Sequence, residues 1–314
     1  MINVALIGAG GHSVSCHAPA LQLYAAEHPD EVRLAAVCDL DEGKARKAVA
    51  EFGFARAYAS IERMFGEEPL DAVLSITPIV ATRAVTRQLL TYGVPLLIEK
   101  PLGRDLAEAR EIADMVGDAP VMVSLNRRFD PGLNRALLWA GEQGPIRFAH
   151  GSQLRPGRDE SDFVWGTGIH LIDAANYLAG PLRVTHAAAM PEAPGGCWRA
   201  AMLAGPGVAV ILEILPTAGR IEEHFRLAGD EFCIDVWTHF AHPWRVEGYR
   251  NFDCVLEEQA SPDTPGCVNN GTYGETEAFL SALLECRPLP GPSVRDALHS
   301  SELAAQMQDI SFEF

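Results

Sequence analysis

Apolar residues come in short unbroken runs over the first 120 or so positions, and each run is followed by a helix-like stretch. The spacing predicts strands at Asn3–Ile7, Val32–Cys38, Ala72–Ile76, Pro95–Ile98 and Pro120–Ser124. Between them it predicts a helix carrying Ala18, Leu21 and Tyr24, then helices at Lys44–Phe52 and Thr82–Tyr92, and one capped by Asp105 with Glu108 three residues on. Strands that are apolar on both faces and alternate with helices imply a parallel sheet covered on both sides. After about residue 124 the pattern changes. A helix at Pro131–Ala140 and a strand at Ile146–Leu154 lead into a polar, Gly-rich loop at 156–166 and a helix at Gly168–Leu178. Strand-like runs then follow with few helices between them: Arg183–Ala189, Arg199–Leu203, Ala209–Leu215, Glu223–Ala228 and Phe232–Thr238. This is the pattern of a mostly antiparallel sheet. Helices at Glu275–Cys286 and Ser293–Gln308 close the chain, the second with Ser293 and Asp296 placed as a capping pair. The fold expected is α/β in two domains, residues 1–122 and 123–314.

Composition narrows the function. The 314 residues are 48% hydrophobic and 21% charged, which is globular rather than disordered. Lys and Arg total 25 against 42 Asp and Glu, a net charge of −17. That balance repels phosphate backbones and anionic lipid, so neither nucleic acid nor membrane is an expected partner. No apolar run approaches the roughly 20 residues of a membrane span. No targeting segment is recognised at Met1-Ile2-Asn3-Val4. The seven cysteines are odd in number and widely spaced, as expected for reduced thiols in a cytoplasmic protein.

The most informative motif joins the first strand to its helix. In Gly8-x-Gly10-x-x-Ser13 the first glycine permits a tight turn and the second a close approach of backbone to a pyrophosphate. Ser13 stands where a third glycine is usual, small enough for strand–helix contact. Gly11 and His12 lie in the same phosphate-facing loop. Asp39 ends the second strand, where a carboxylate accepts ribose hydroxyls and repels a 2′-phosphate; this favours NAD over NADP. Glu99-Lys100-Pro101 follows another strand at the edge where open parallel sheets bind ligands. A lysine there can hydrogen-bond a substrate hydroxyl and exchange its proton.

These features together resemble the Gfo/Idh/MocA oxidoreductases, the family of glucose–fructose oxidoreductase and inositol dehydrogenase. The resemblance rests on the Gly8-Ala9-Gly10 loop, Asp39, Thr77-Pro78, the Gly93…Glu99-Lys100-Pro101 stretch, Asn126-Arg127-Arg128-Phe129 and Gly168-Ile169-His170-Leu171-Ile172-Asp173. It implies a Rossmann domain, then a domain with a large, mostly antiparallel open sheet, and a homodimer or homotetramer. It also implies hydride transfer between a nicotinamide and a carbinol carbon of a sugar, polyol or cyclitol. By resemblance Lys100 and His170 are catalytic. Gly8, Gly10, Gly11, His12, Ser13, Asp39, Thr77, Pro78, Glu99 and Lys100 bind the dinucleotide. Arg128, Arg155, Trp165, His170 and Asp173 are expected to line the substrate site. Two positions depart from the family pattern. Gly166 stands where many members have an Asp four residues before the His, and Thr82 where a His is frequent. The first keeps two alternatives open, an NAD-using lyase or glycosidase with no net redox and a non-catalytic nicotinamide-binding regulator. His239-x-x-His242 offers two metal ligands without a third at a suitable spacing, so no metal is expected.

Overall fold

The structure is a computed structural model that describes residues 1–190, 198–238 and 243–308. Two compact units are formed, one by Met1–Leu125 with Thr272–Leu298, the other by Asn126–Gly271 with the residues from His299 onward.

The first unit is built on six parallel strands, β1 (Ile2–Ile7), β2 (Val32–Cys38), β3 (Arg56–Tyr58), β4 (Ala72–Ser75), β5 (Leu96–Glu99) and β6 (Val121–Ser124), in the order 3-2-1-4-5-6. Strand order reverses between β1 and β4, so a crevice opens beyond their carboxyl ends. The apolar runs form these strands because helices cover both faces: β4, β5 and β6 are buried at every position. Two elements lie beyond the sequence pattern. β3 has three residues, and the helix Ile61–Glu67 has seven, too few for a period to show. The helix expected at Thr82–Tyr92 runs instead from Ile79 to Leu90, because Pro78 is extended and caps it directly. Thr82 packs inside, 3% exposed.

The domain boundary differs from a single cut after residue 122. Thr272–Leu298 belongs to the first unit because it is stitched to β6. Ser124 donates to Glu275 at 2.8 Å, Val123 N–H to the Pro292 carbonyl at 2.9 Å, and Met122 bridges to Ser293. Ser293 and Asp296 cap each other at the start of Val294–Gln308, as the sequence suggested.

The second unit carries eight strands, β7 (Phe148–Leu154), β8 (Arg183–Met190), β9 (Trp198–Gly205), β10 (Val208–Leu215), β11 (Glu222–Gly229), β12 (Phe232–Trp237), β13 (Arg245–Arg250) and β14 (Asp253–Gln259). Their order is 14-13-12-11-7-10-9-8, and every neighbouring pair is antiparallel except β7 with β10. β9, β10 and β11 alternate buried and open positions, so one face of the sheet holds the core. β13 and β14 carry no apolar run, which is why the sequence pattern does not show them; β14 is an exposed edge.

Candidate functional site

The crevice beyond β1 and β4 holds a cavity of about 790 Å³, lined wholly by the first unit. All of the residues expected to bind a dinucleotide line it: Gly8, Gly10, Gly11, His12, Ser13, Asp39, Thr77, Pro78, Glu99 and Lys100. They come from four strand ends that the parallel topology aligns on one edge.

The glycine loop is held by identifiable contacts. Gly8 has φ +89°, and a Cβ there would lie 2.1 Å from the Ile76 carbonyl oxygen. Its N–H donates to the Cys38 carbonyl at 2.8 Å, and Ile76 N–H to the Ile7 carbonyl at 2.8 Å. Gly8→Ala is therefore expected to cost at least ~2 kcal/mol, from the left-handed backbone alone before the clash. Urea unfolding followed by circular dichroism measures it. Gly10 and Gly11 differ: a Cβ on either would meet nothing within 4 Å. Both lie on the cavity wall.

Asp39 braces this loop. One carboxylate oxygen accepts the Ala9 N–H at 2.7 Å and the other the Asp41 N–H at 2.8 Å. Each oxygen keeps a lone pair, so the group can still take ribose hydroxyls. Leu40, 97% exposed, offers an apolar surface beside it on the cavity wall, and Lys44 lines the same end. Neither was singled out in the sequence, because an exposed residue after a strand carries no pattern.

At the far end, half-buried Lys100 follows β5 directly, and its peptide bond to Pro101 is cis. Glu99 is 8% exposed. Burial alone raises its carboxyl, but His17, His12 and Lys100 more than offset that and hold it below the ordinary carboxylate value. His17 is a residue the sequence reading missed. The first turn after the loop, Ser13–His17, is π-helical rather than α-helical, which stacks residue 17 near residue 12. Their rings meet edge to face at 5.3 Å.

The residues expected to touch substrate belong to the second unit. His170, partly exposed, opens the helix Ile169–Ala179, directly after the π-helical turn Val164–Gly168. That turn replaces the end of the expected loop. Arg128 donates twice to Asp173, at 2.7 and 2.9 Å, and Ser300 donates to the same carboxylate at 2.7 Å. Arg155 departs from expectation. It is 2% exposed and bonds Glu223 and the carbonyls of Leu154 and Glu222, so it serves the core and offers no face to a sugar. Trp165 is 4% exposed and likewise packs inside. Glu223, unmarked in the sequence, is the centre of this network. Arg127 donates to it at 2.6 and 3.0 Å, Gln153 at 3.2 Å and Thr238 at 3.3 Å. His239 and His242 lie outside the described residues. Among the described residues no helix is long and apolar enough to cross a membrane.

Residues 2–127 match the model of an oxidoreductase family, Gfo/Idh/MocA, with an NAD-binding Rossmann fold. The match covers the Rossmann segment of the first unit. Inositol 2-dehydrogenase 2 of Saccharopolyspora erythraea is 32% identical over 172 residues, 52% of this chain and 51% of that one. D-apiose dehydrogenase of Paraburkholderia graminis is 30% identical over 222 residues, 66% and 56%. D-xylose 1-dehydrogenase (NADP(+)) 2 of Haloferax volcanii is 33% identical over 144 residues, 45% and 42%. The chain thus spans about half the length of the curated relatives it matches. The whole two-part fold is shared with a dehydrogenase (MviM) from Clostridium difficile, at TM-score 0.83 and 15% identity, covering 97% of this chain and 98% of the other.

Proposed function

We propose that this protein is an NAD-dependent oxidoreductase that moves a hydride between a nicotinamide and a carbinol carbon of a sugar, polyol or cyclitol. The observation that carries the reading is the convergence of the glycine loop, Asp39 and Lys100 on one cavity in the first unit. A bound nicotinamide would accept or give the hydride at its C4. Gly10 and Gly11 would hold the pyrophosphate through backbone N–H groups, and Asp39 the adenosine ribose. The choice of NAD over NADP rests on Asp39, whose charge repels a 2′-phosphate. Lys100 would take the proton of the reacting hydroxyl, and His170 would hold or exchange that proton, since imidazole titrates near neutral pH. Half-buried Arg128 would present its outer edge to substrate hydroxyls, with Asp173, 1% exposed, holding it in place from behind.

The protein would work as a homodimer or homotetramer in the cytoplasm. The sheet face opposite the core supports the first point, for Met202 is 52% exposed on it. The odd number and wide spacing of the seven cysteines support the second. Screening sugars, polyols and cyclitols with NAD+ for appearance of NADH tests the reading. Saturable NADH formation with at least one class supports it, and turnover of substrate with no net NADH supports the alternative of transient oxidation.

Gly166 keeps that alternative open, and with it the non-catalytic regulator, because the carboxylate four residues before His170 is missing. A Cβ at Gly166 meets nothing within 4 Å. Gly166→Asp is therefore expected to fold with a stability change within about 0.5 kcal/mol, as thermal unfolding would show. A gain in net NADH formation by this variant would favour the redox reading.

A further inference from the structure

The cluster of His12, His17 and Glu99 is more than a cavity wall. His17 is 1% exposed; its Nδ1 has no hydrogen-bond partner, and its Nε2 meets only a Glu99 oxygen, at a long 3.5 Å. Native interiors rarely leave such groups without partners. The His17 Nε2 lies 3.5 Å from one Glu99 oxygen and the His12 Nε2 lies 3.7 Å from the other. One ligating atom from each of the three residues falls within 4.8 Å of the others.

We propose that His12, His17 and Glu99 bind a divalent transition-metal ion of the zinc type. Two imidazoles and a carboxylate are a zinc donor set, and three protein ligands leave a fourth position open. Around a tetrahedral zinc with bonds of about 2.0–2.1 Å, ligand atoms stand about 3.3 Å apart. The two separations from Glu99 run to its two different oxygens, and with one atom from each residue the set spans up to 4.8 Å, so it must draw in to close on an ion. Closing the set falls to His12, whose side chain is half exposed and can turn, while His17 and Glu99 stay fixed in the interior. The π-helical turn supplies the register, because residues five apart stack along it. Sequence spacing hides the site, since Glu99 joins it only through the parallel pairing of β1, β4 and β5. Lys100 follows Glu99, and its charge opposes a cation. The site is thus one of exchangeable rather than structural strength.

His12 and Glu99 also line the dinucleotide cavity, so the test uses the protein without nucleotide. The purified chain is titrated with cobalt(II) chloride and followed by the visible absorption of four-coordinate cobalt, then challenged with zinc chloride. One equivalent of absorption, displaced by zinc, is expected for the parent. Loss of the band is expected in His17→Ala and equally in His12→Ala, whose exposed side chain can go without unfolding the chain; circular dichroism checks both folds. A folded parent with no band would overturn the proposal. So would a band unchanged in His12→Ala, which would locate the ion elsewhere.

Discussion

Lys100→Met is expected to lower turnover by about 10²–10⁴-fold, the ordinary worth of a positioned acid–base group. The affinity for NADH should fall much less. The reason is placement. Lys100 is held immediately after β5, on the wall shared by the glycine loop and Asp39. Met keeps the length and the apolar stem of lysine but has no proton to exchange. Lys100→Arg is the sharper companion, for it keeps the positive charge and holds its proton at all working pH values. Both variants should lose turnover together if proton exchange is the role. If arginine restores most of it, charge alone is what the position supplies. Steady-state rates with NAD+ and the best substrate, beside NADH binding measured by calorimetry, separate these outcomes.

Glu223→Gln should destabilise the second unit by about 3–5 kcal/mol. The carboxylate is 2% exposed and receives the guanidinium groups of Arg127 and Arg155, themselves 4% and 2% exposed. Glutamine fills the same volume but removes the negative charge that both guanidinium groups face. Urea unfolding of parent and variant measures the difference. The same network sets an acid limit. Burial pushes the Glu223 carboxyl up, but Arg127 and Arg155 outweigh burial and hold it far below the ordinary carboxylate range. Its folded pKa is thus below its unfolded value of about 4.3. The stability it contributes is complete above that unfolded value and is lost as pH falls below it towards the folded pKa. The parent should lose stability on acidification below about pH 4, and Glu223→Gln should lose less over the same range.

The fold was legible where burial was two-sided. β1, β2, β4, β5 and β6 are predominantly apolar because helices cover both faces, and their ends carry Gly8, Asp39, Thr77 and Glu99. The cavity wall could be read for the same reason, since a parallel sheet aligns all its strand ends on one edge. β13 and β14 were not legible, because polar strands at a sheet edge carry no apolar run. The π-helical turns were not legible either, since one extra residue in a turn leaves no signature in composition. Arg155 and Trp165 were read as ligand-facing from their position in the chain, whereas the fold turns both inward. What buries Arg155 is Glu223, 68 residues away, and local pattern does not reach that far.

The central claim is that the cavity in the first unit binds a dinucleotide. Calorimetric titration of the purified protein with NADH, and in parallel with NADPH, tests it most directly. Saturable binding of NADH at one site per chain, with NADPH much weaker and Asp39→Ala narrowing that difference, is the predicted result. A protein that is folded by circular dichroism yet gives no binding with either nucleotide would contradict it.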